Sequence, residues 1–168
     1  MERVVEMTIK VGDKVPTVKV FVQSDDGPQA ISSDEIFKGK RIAMFGVPGA
    51  FTRTCSARHL PGFVGNAAAI KGKGIDEVVC LAVNDTAVMA AWGREHGADD
   101  KVRMVSDGGL ELTRALGLEV DLSARGYGMR CKRFSMIVDD GVVTHMHLET
   151  GGGFGETSAE TILGDLGA

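Results

Sequence analysis

Apolar residues along this chain gather into short runs divided by Gly, Pro, Asn and Asp, and the period of each run assigns it to a strand or a helix. Val15 to Val22 alternates toward the C-terminal end and reads as a strand. Ser32-Ser-Asp-Glu35 is a capping box, serine hydroxyl and glutamate carboxylate serving free amides at a helix start, and it opens a short helix before Gly39. Arg41 to Val47 is a second strand, followed by a helix from about Thr54 to the Gly72-Lys-Gly74 turn, with Pro61-Gly62 as a candidate bend. Glu77 to Val83 is almost continuously apolar, which suits a strand covered on both faces. Asn84-Asp85 caps a helix from Thr86 to Glu95, and Lys101 to Ser106 forms a shorter strand before a helix that ends at Gly117. Residues 118 to 131 are polar and Gly-containing and are predicted as a loop. Arg133 to Val138 and Val142 to Leu148 flank Asp139-Asp-Gly141, a hairpin signal, and a second capping box, Thr157-Ser-Ala-Glu160, starts the last helix. Alternating strands and helices that end in a hairpin and a helix predict an α/β architecture, a central mixed β-sheet flanked by helices. With no repeat or linker, residues 1–168 read as one domain, with residues 1–6 a candidate extension.

Composition narrows the function. A chain of 168 residues that is 43% hydrophobic can build a core without disulfide staples. The net charge is −4 and Lys and Arg are scattered, so neither a nucleic-acid nor a membrane-surface partner is indicated. No apolar stretch approaches the roughly 18 residues of a membrane span, and the N-terminal pattern is not that of a signal peptide. The expected location is therefore the cytoplasm. Three cysteines, Cys55, Cys80 and Cys131, cannot all pair within one chain, which suits redox or catalytic use in a reducing compartment.

The chemistry centres on Cys55. In Gly46-Val-Pro-Gly-Ala-Phe-Thr-Arg-Thr-Cys-Ser-Ala-Arg-His-Leu-Pro-Gly-Phe63 an apolar strand breaks at Pro48-Gly49 and a helix starts around the thiol. Thr52 and Thr54 are the candidate N-caps. Cys55 then lies in the first turn, where free amides and the helix dipole favour a thiolate. A helix end contributes about 1–2 kcal/mol, so full activation also calls for a cation. Arg53, Arg58, His59 and the distant Arg133 are the candidates. An isolated cysteine is more often a buried, inert one. The Pro-Gly break, the nearby threonine and the basic flanks reverse that weighting here.

Thr52 precedes Cys55 by three residues, so its hydroxyl could bond both the sulfur and an oxygen approaching it. His59, four residues on, suggests a Cys-His pair or a metal ligand, although a structural hydrogen-bonding histidine is the commoner case. His145, His147 and His96 have poor ligand spacing, and no metal site is expected. The chain lacks a Cys-x-x-Cys motif, which disfavours a thiol-disulfide reductase. Gly151-Gly-Gly-Phe-Gly155 lacks the ending of a phosphate-binding loop and reads as a flexible connection. Cys131 would share a strand face with Arg133, yet a chance thiol at a loop–strand junction is the preferred reading.

Pro48-x-x-x-Thr52-x-x-Cys55 resembles the active-site signature of the peroxiredoxins, and the longer string around it resembles the atypical type II, peroxiredoxin-5-like subfamily. The resemblance continues through Val83-Asn-Asp85, Ala91-Trp92, Leu116-Gly117 and Lys132-Arg-Phe-Ser-Met136, nearly the whole chain from about Met7. It implies a thioredoxin-like fold, a homodimer, and peroxidase activity with no metal, haem or other cofactor. Cys55 matches the family's peroxidatic cysteine, Thr52 its peroxide-binding hydroxyl, Pro48 its shield over the pocket and Arg133 its activating arginine. The thiolate would attack one peroxide oxygen, water or alcohol would leave, and Cys55 would become a sulfenic acid.

Two positions depart from the family pattern. Arg53 stands where proline is common, which makes it, like His59, a candidate supporting group. Glu156 stands in the region of the C-terminal resolving cysteine of animal-type members. That leaves Cys80, which resembles the second cysteine of plant and bacterial type II members, as a candidate resolving or accessory thiol. It falls inside a predicted buried strand, so an external thiol is the expected reductant, glutaredoxin with glutathione ahead of thioredoxin. The expected function is thus a thiol-dependent peroxidase for hydrogen peroxide and organic hydroperoxides. A redox sensor or chaperone-like protein using the same oxidisable cysteine is the alternative, separated by catalytic turnover.

Overall fold

A computed structural model describes residues 8–149 and 154–167. It begins with strands β1 (Lys19–Ser24) and β2 (Gly27–Ser32), helix α1 (Ser33–Phe37) and strand β3 (Arg41–Gly46). A π-helical turn (Cys55–His59) leads into α2 (Leu60–Gly72), then β4 (Glu77–Ala82), α3 (Thr86–Glu95), β5 (Arg103–Ser106) and α4 (Glu111–Ala115). β6 (Glu119–Asp121), β7 (Met129–Cys131), β8 (Phe134–Asp139), β9 (Val142–Leu148) and α5 (Ala159–Asp165) complete it.

β3 and β4 are apolar at successive positions and can be covered only in the middle of a sheet. There they pair in parallel, Ile42 beside Glu77 through Gly46 beside Leu81. A parallel pair needs a crossover, which α2 supplies; α3 does the same between β4 and the parallel β5. β8 lies antiparallel on the other flank of β3, and the seven-stranded order is β2-β1-β5-β4-β3-β8-β9. Asp140 (φ 48°) and Gly141 (φ 85°) both take the left-handed conformation that a two-residue hairpin turn requires. Alternation along each strand divides the core between two faces. Phe45, Cys55, Phe63, Cys80 and Trp92 share one cluster, and Met44, Leu81, Leu112, Cys131 and Met136 share another. No helix among the described residues is long and apolar enough to cross a membrane.

Five sequence expectations change. The strand expected from Val15 starts only at Lys19, because Pro16 has no amide to give and Ser33 Oγ takes over the bonding of Pro16 O and Val18 N at 2.8 and 2.9 Å. β2 escaped prediction. It is an exposed edge strand, the one place where Pro28 costs no ladder bond. The expected loop at 118–131 is a small hairpin, Glu119 opposite Cys131 and Asp121 opposite Met129, forming its own two-stranded sheet. The cap of α5 is Ser158, whose Oγ accepts from Thr161 N at 3.2 Å, and not Thr157, which is buried and bonded elsewhere. Pro61 sits in the first turn of α2, where a missing amide is harmless, so the irregularity falls before it in the π turn. The candidate extension 1–6 and Gly151 to Gly153 of the glycine-rich connection lie outside the described residues.

Candidate active site

β3 delivers the chain from the middle of the sheet to the turn at Pro48. The departure is tight: a Cβ on Gly46 would sit 2.1 Å from Phe134 Cε1, and one on Gly49 would sit 2.6 Å from Arg130 Nη1. Arg130 uses that space, donating from Nη1 to Pro48 O at 3.0 Å and from Nε to Tyr127 O at 2.9 Å. From the other side Asn84 Oδ1 accepts from Ala50 N at 2.8 Å. Phe51 adopts φ 64° and is 53% exposed, a left-handed non-glycine residue costing about 1–2 kcal/mol that the flanking bonds must hold.

The helical residues begin at 53, so Cys55 lies in the first turn, and its side chain is fully buried. Neither threonine caps this start. Thr54 already has helical φ and ψ with no side-chain cap bond, and Thr52 Oγ1 donates to Gly49 O at 2.7 Å. Thr52 has therefore spent its proton on the turn, leaving its oxygen lone pairs free to accept from an incoming O–H. Leu60 N bonds to Cys55 O, a five-residue closure of the kind that recurs at functional sites. Trp92 Nε1 pins the next residue, donating to Ser56 Oγ at 2.9 Å.

Arg133, from the residue before β8, completes the group. Its Nη2 donates to Cys55 Sγ at 3.1 Å and its Nη1 to His59 Nδ1 at 2.8 Å. His59 Nε2 lies 2.9 Å from Thr157 O, a carbonyl that can only accept, so Nε2 carries the proton and Nδ1 is the acceptor. Burial, reinforced by the Arg133 charge and opposed by the Thr157 bond, drives the His59 pKa down to about 3. His59 is thus neither a cation nor a base for Cys55; it holds the cation that is there. Phe154 covers the same group, with Arg58 4.7 Å and Arg133 6.0 Å from its ring centre and the His59 ring edge-on at 5.1 Å. Arg53 is exposed. The result is a buried sulfur in hydrogen-bond contact with a fixed guanidinium, an arrangement able to stabilise negative charge.

A family model described as Redoxin matches residues 10–163. Peroxiredoxin-2C of Arabidopsis thaliana is 47% identical over 92% of this chain and 96% of its own length. The chain belongs to the peroxiredoxin family. Peroxiredoxin-2E-2, chloroplastic, of Oryza sativa subsp. japonica is also 47% identical, over 93% of this chain and 72% of its own length. Among solved structures, reduced Prx3 of Vibrio vulnificus in complex with H2O2 superposes with TM-score 0.90 at 40% identity, covering 95% of this chain and 99% of that one. The fold is thioredoxin-like, and this peroxiredoxin is a thiol-dependent peroxidase, an oxidoreductase.

The other two thiols of the peroxiredoxin lie away from such a setting. Cys80, in the middle of β4, is fully buried; burial first, then the neighbouring Cys55 and Cys131, push its pKa well up against the pull of Arg133. Cys131 does not share a strand face with Arg133, because the chain leaves β7 at Cys131 and enters β8 only at Phe134. It packs in the other core cluster, donates to Lys132 O at 3.2 Å and, mainly through burial, is pushed up to about 12. Sequence reasoning gave no site role to Arg130, Phe154 or Glu149, and it saw Thr157 only in a capping box. Asn84 was visible only as part of a helix cap.

Proposed function

We propose that the chain reduces hydrogen peroxide and organic hydroperoxides through Cys55, with Arg133, Thr52 and Pro48 in the roles the family signature implies, as a member of the type II, peroxiredoxin-5-like subfamily. The observation that carries this reading is the 3.1 Å bond from Arg133 Nη2 to the buried Cys55 Sγ. The Cys55 thiolate attacks the nearer peroxide oxygen; its electron pair forms the S–O bond as the O–O bond breaks. The departing oxygen takes a proton and leaves as water or alcohol, and Cys55 is left as the sulfenic acid. Arg133 stabilises the charge that moves from sulfur to oxygen, and Thr52 Oγ1, its own proton committed to Gly49 O, accepts the peroxide O–H. Pro48, its carbonyl held by Arg130, screens the sulfur from bulk water. The Vibrio relative's hydrogen peroxide complex supports the choice of substrate.

An external thiol then reduces the sulfenic acid, glutathione with glutaredoxin in preference to thioredoxin, because Cys80 is a poor thiolate in a central strand. Unpaired thiols suit the reducing cytoplasm, and the exposed Phe51 beside the site suits a homodimer contact. Peroxide turnover coupled to glutaredoxin tests the assignment. Cys55→Ser should abolish it, while Cys80→Ser and Cys131→Ser keep most of it; turnover surviving in Cys55→Ser overturns the reading.

A further inference from the structure

We propose that Glu149 is a positioning residue for this chemistry, closing a ring of hydrogen bonds that fixes the Arg133 guanidinium on the Cys55 sulfur; the proposal rests on the roles of Cys55 and Arg133 given above. Glu149 works through both its backbone and its side chain. Its amide donates to Arg133 O at 3.2 Å, holding the backbone from which the guanidinium extends. Its Oε2 accepts from Gly155 N at 2.8 Å, Thr157 N at 2.8 Å and Thr157 Oγ1 at 2.9 Å. Thr157 O in turn accepts from His59 Nε2 at 2.9 Å, and His59 Nδ1 accepts from Arg133 Nη1 at 2.8 Å, which returns the chain of contacts to Arg133. The remaining guanidinium nitrogen is then aimed at Cys55 Sγ at 3.1 Å.

Three donors converge on one oxygen, an environment that a carboxylate, charged and without a proton of its own, satisfies best. Burial raises the Glu149 pKa, but the bonds from Thr157, Gly155 and Glu156 outweigh it and hold the group below its ordinary value. Thr157 is fully buried, and its amide and hydroxyl both depend on this carboxylate for an acceptor. With the carboxylate removed, the segment from Gly155 to Ser158 would seek new partners, and the Thr157 carbonyl would leave His59. Without that carbonyl only the Arg133 donor still favours the Nε2–H form, and the imidazole loses the bond that anchors its far side. The alternative tautomer points an N–H at a guanidinium that can only donate, and it pushes Arg133 away from the sulfur. A misplacement of about 1 Å in such a group costs on the order of a hundredfold in rate.

The test is the second-order rate of hydrogen peroxide reduction by the intact chain, followed by Trp92 fluorescence, in Glu149→Ala, Glu149→Gln, Arg133→Ala and the variants combining each Glu149 change with Arg133→Ala. Glu149→Ala should slow the reaction by at least about tenfold. Glu149→Gln, which keeps one acceptor oxygen for Thr157, should recover part of that loss. In the Arg133→Ala background either Glu149 change should alter the rate by less than about threefold, since its effect travels through the missing guanidinium. If Glu149→Ala fails to fold, as judged by its urea transition, the Glu149→Gln pair makes the same comparison. Equal fold-losses in both backgrounds, or wild-type rates in the Glu149 variants beside a slow Arg133→Ala, overturn the role of Glu149 alone. A wild-type rate in Arg133→Ala overturns the reading on which it rests.

Discussion

At the scale of single residues the least expected behaviour belongs to His59. Its position four residues after a cysteine suggests a Cys-His pair, but burial and a neighbouring guanidinium keep it neutral. That has a consequence for stability. Below the ordinary imidazole value of 6.5 the unfolded chain takes up a proton that the folded chain refuses until about pH 3, so stability falls as pH drops through that window. The slope is about 1.4 kcal/mol per pH unit, or about 2 kcal/mol between pH 6.5 and pH 5. His59→Gln keeps an N–H for the Thr157 carbonyl and cannot titrate. Urea unfolding at a series of pH values should show the wild type losing stability more steeply than His59→Gln below pH 6.5. Parallel curves would mean that His59 is protonated in the native state as readily as in the unfolded one. The run Pro48 to Cys55 could be read from sequence because its geometry is local, a break and a helix start within a few residues. The bonds among Glu149, Thr157, His59 and Arg133 could not, since they tie His59 to residues 74 to 98 positions further along the chain.

At the scale of elements, what the sequence revealed depends on whether an element carries its own determinants. β3, β4 and α3 do: two continuous apolar runs, and a cap in which Asp85 Oδ1 accepts from Val88 N at 2.8 Å. β2, β6 and β7 do not, because β2 opens with Gly27-Pro28, β6 and β7 are three residues each, and all three are held in place by their partners. The contact between β3 and β8 belongs to the same hidden class, and it makes a prediction. Gly46 lies directly beside Phe134, whose ring is fully buried and has nowhere to swing. Gly46→Ala should therefore destabilise the fold by about 1–3 kcal/mol through overpacking, read as a lower urea midpoint with an unchanged slope. Phe134→Leu combined with Gly46→Ala should restore part of the loss. Additive losses in the double variant would show that the glycine is needed for another reason.

At the scale of the whole molecule, the sheet separates chemistry from packing. Cys55 and Cys80 belong to one core cluster and Cys131 to the other, so the three thiols that looked alike in sequence have unlike prospects. Cys131 has no route to Cys55 except through the sheet. Cys80 does share the face of Cys55, but it is held in β4 with both neighbouring strands paired, Phe45 on one side and Met104 on the other. A Cys55–Cys80 disulfide would therefore have to bring the helix start down onto the sheet. It would break the Arg133 bond to sulfur and the Trp92 bond to Ser56 before gaining anything. The outside thiol of the proposed route would instead approach from the exposed turn around Phe51, leaving β4 undisturbed. Peroxide alone should convert Cys55 to a sulfenic acid that persists long enough to be trapped by dimedone. Added glutathione should convert it to a mixed disulfide on Cys55, which glutaredoxin then removes by thiolate exchange. Peptide mapping after one equivalent of peroxide distinguishes the routes. Rapid joint loss of the Cys55 and Cys80 thiols in a monomer, with no dimedone adduct, would mean that the helix start opens readily and that the chain supplies its own resolving thiol.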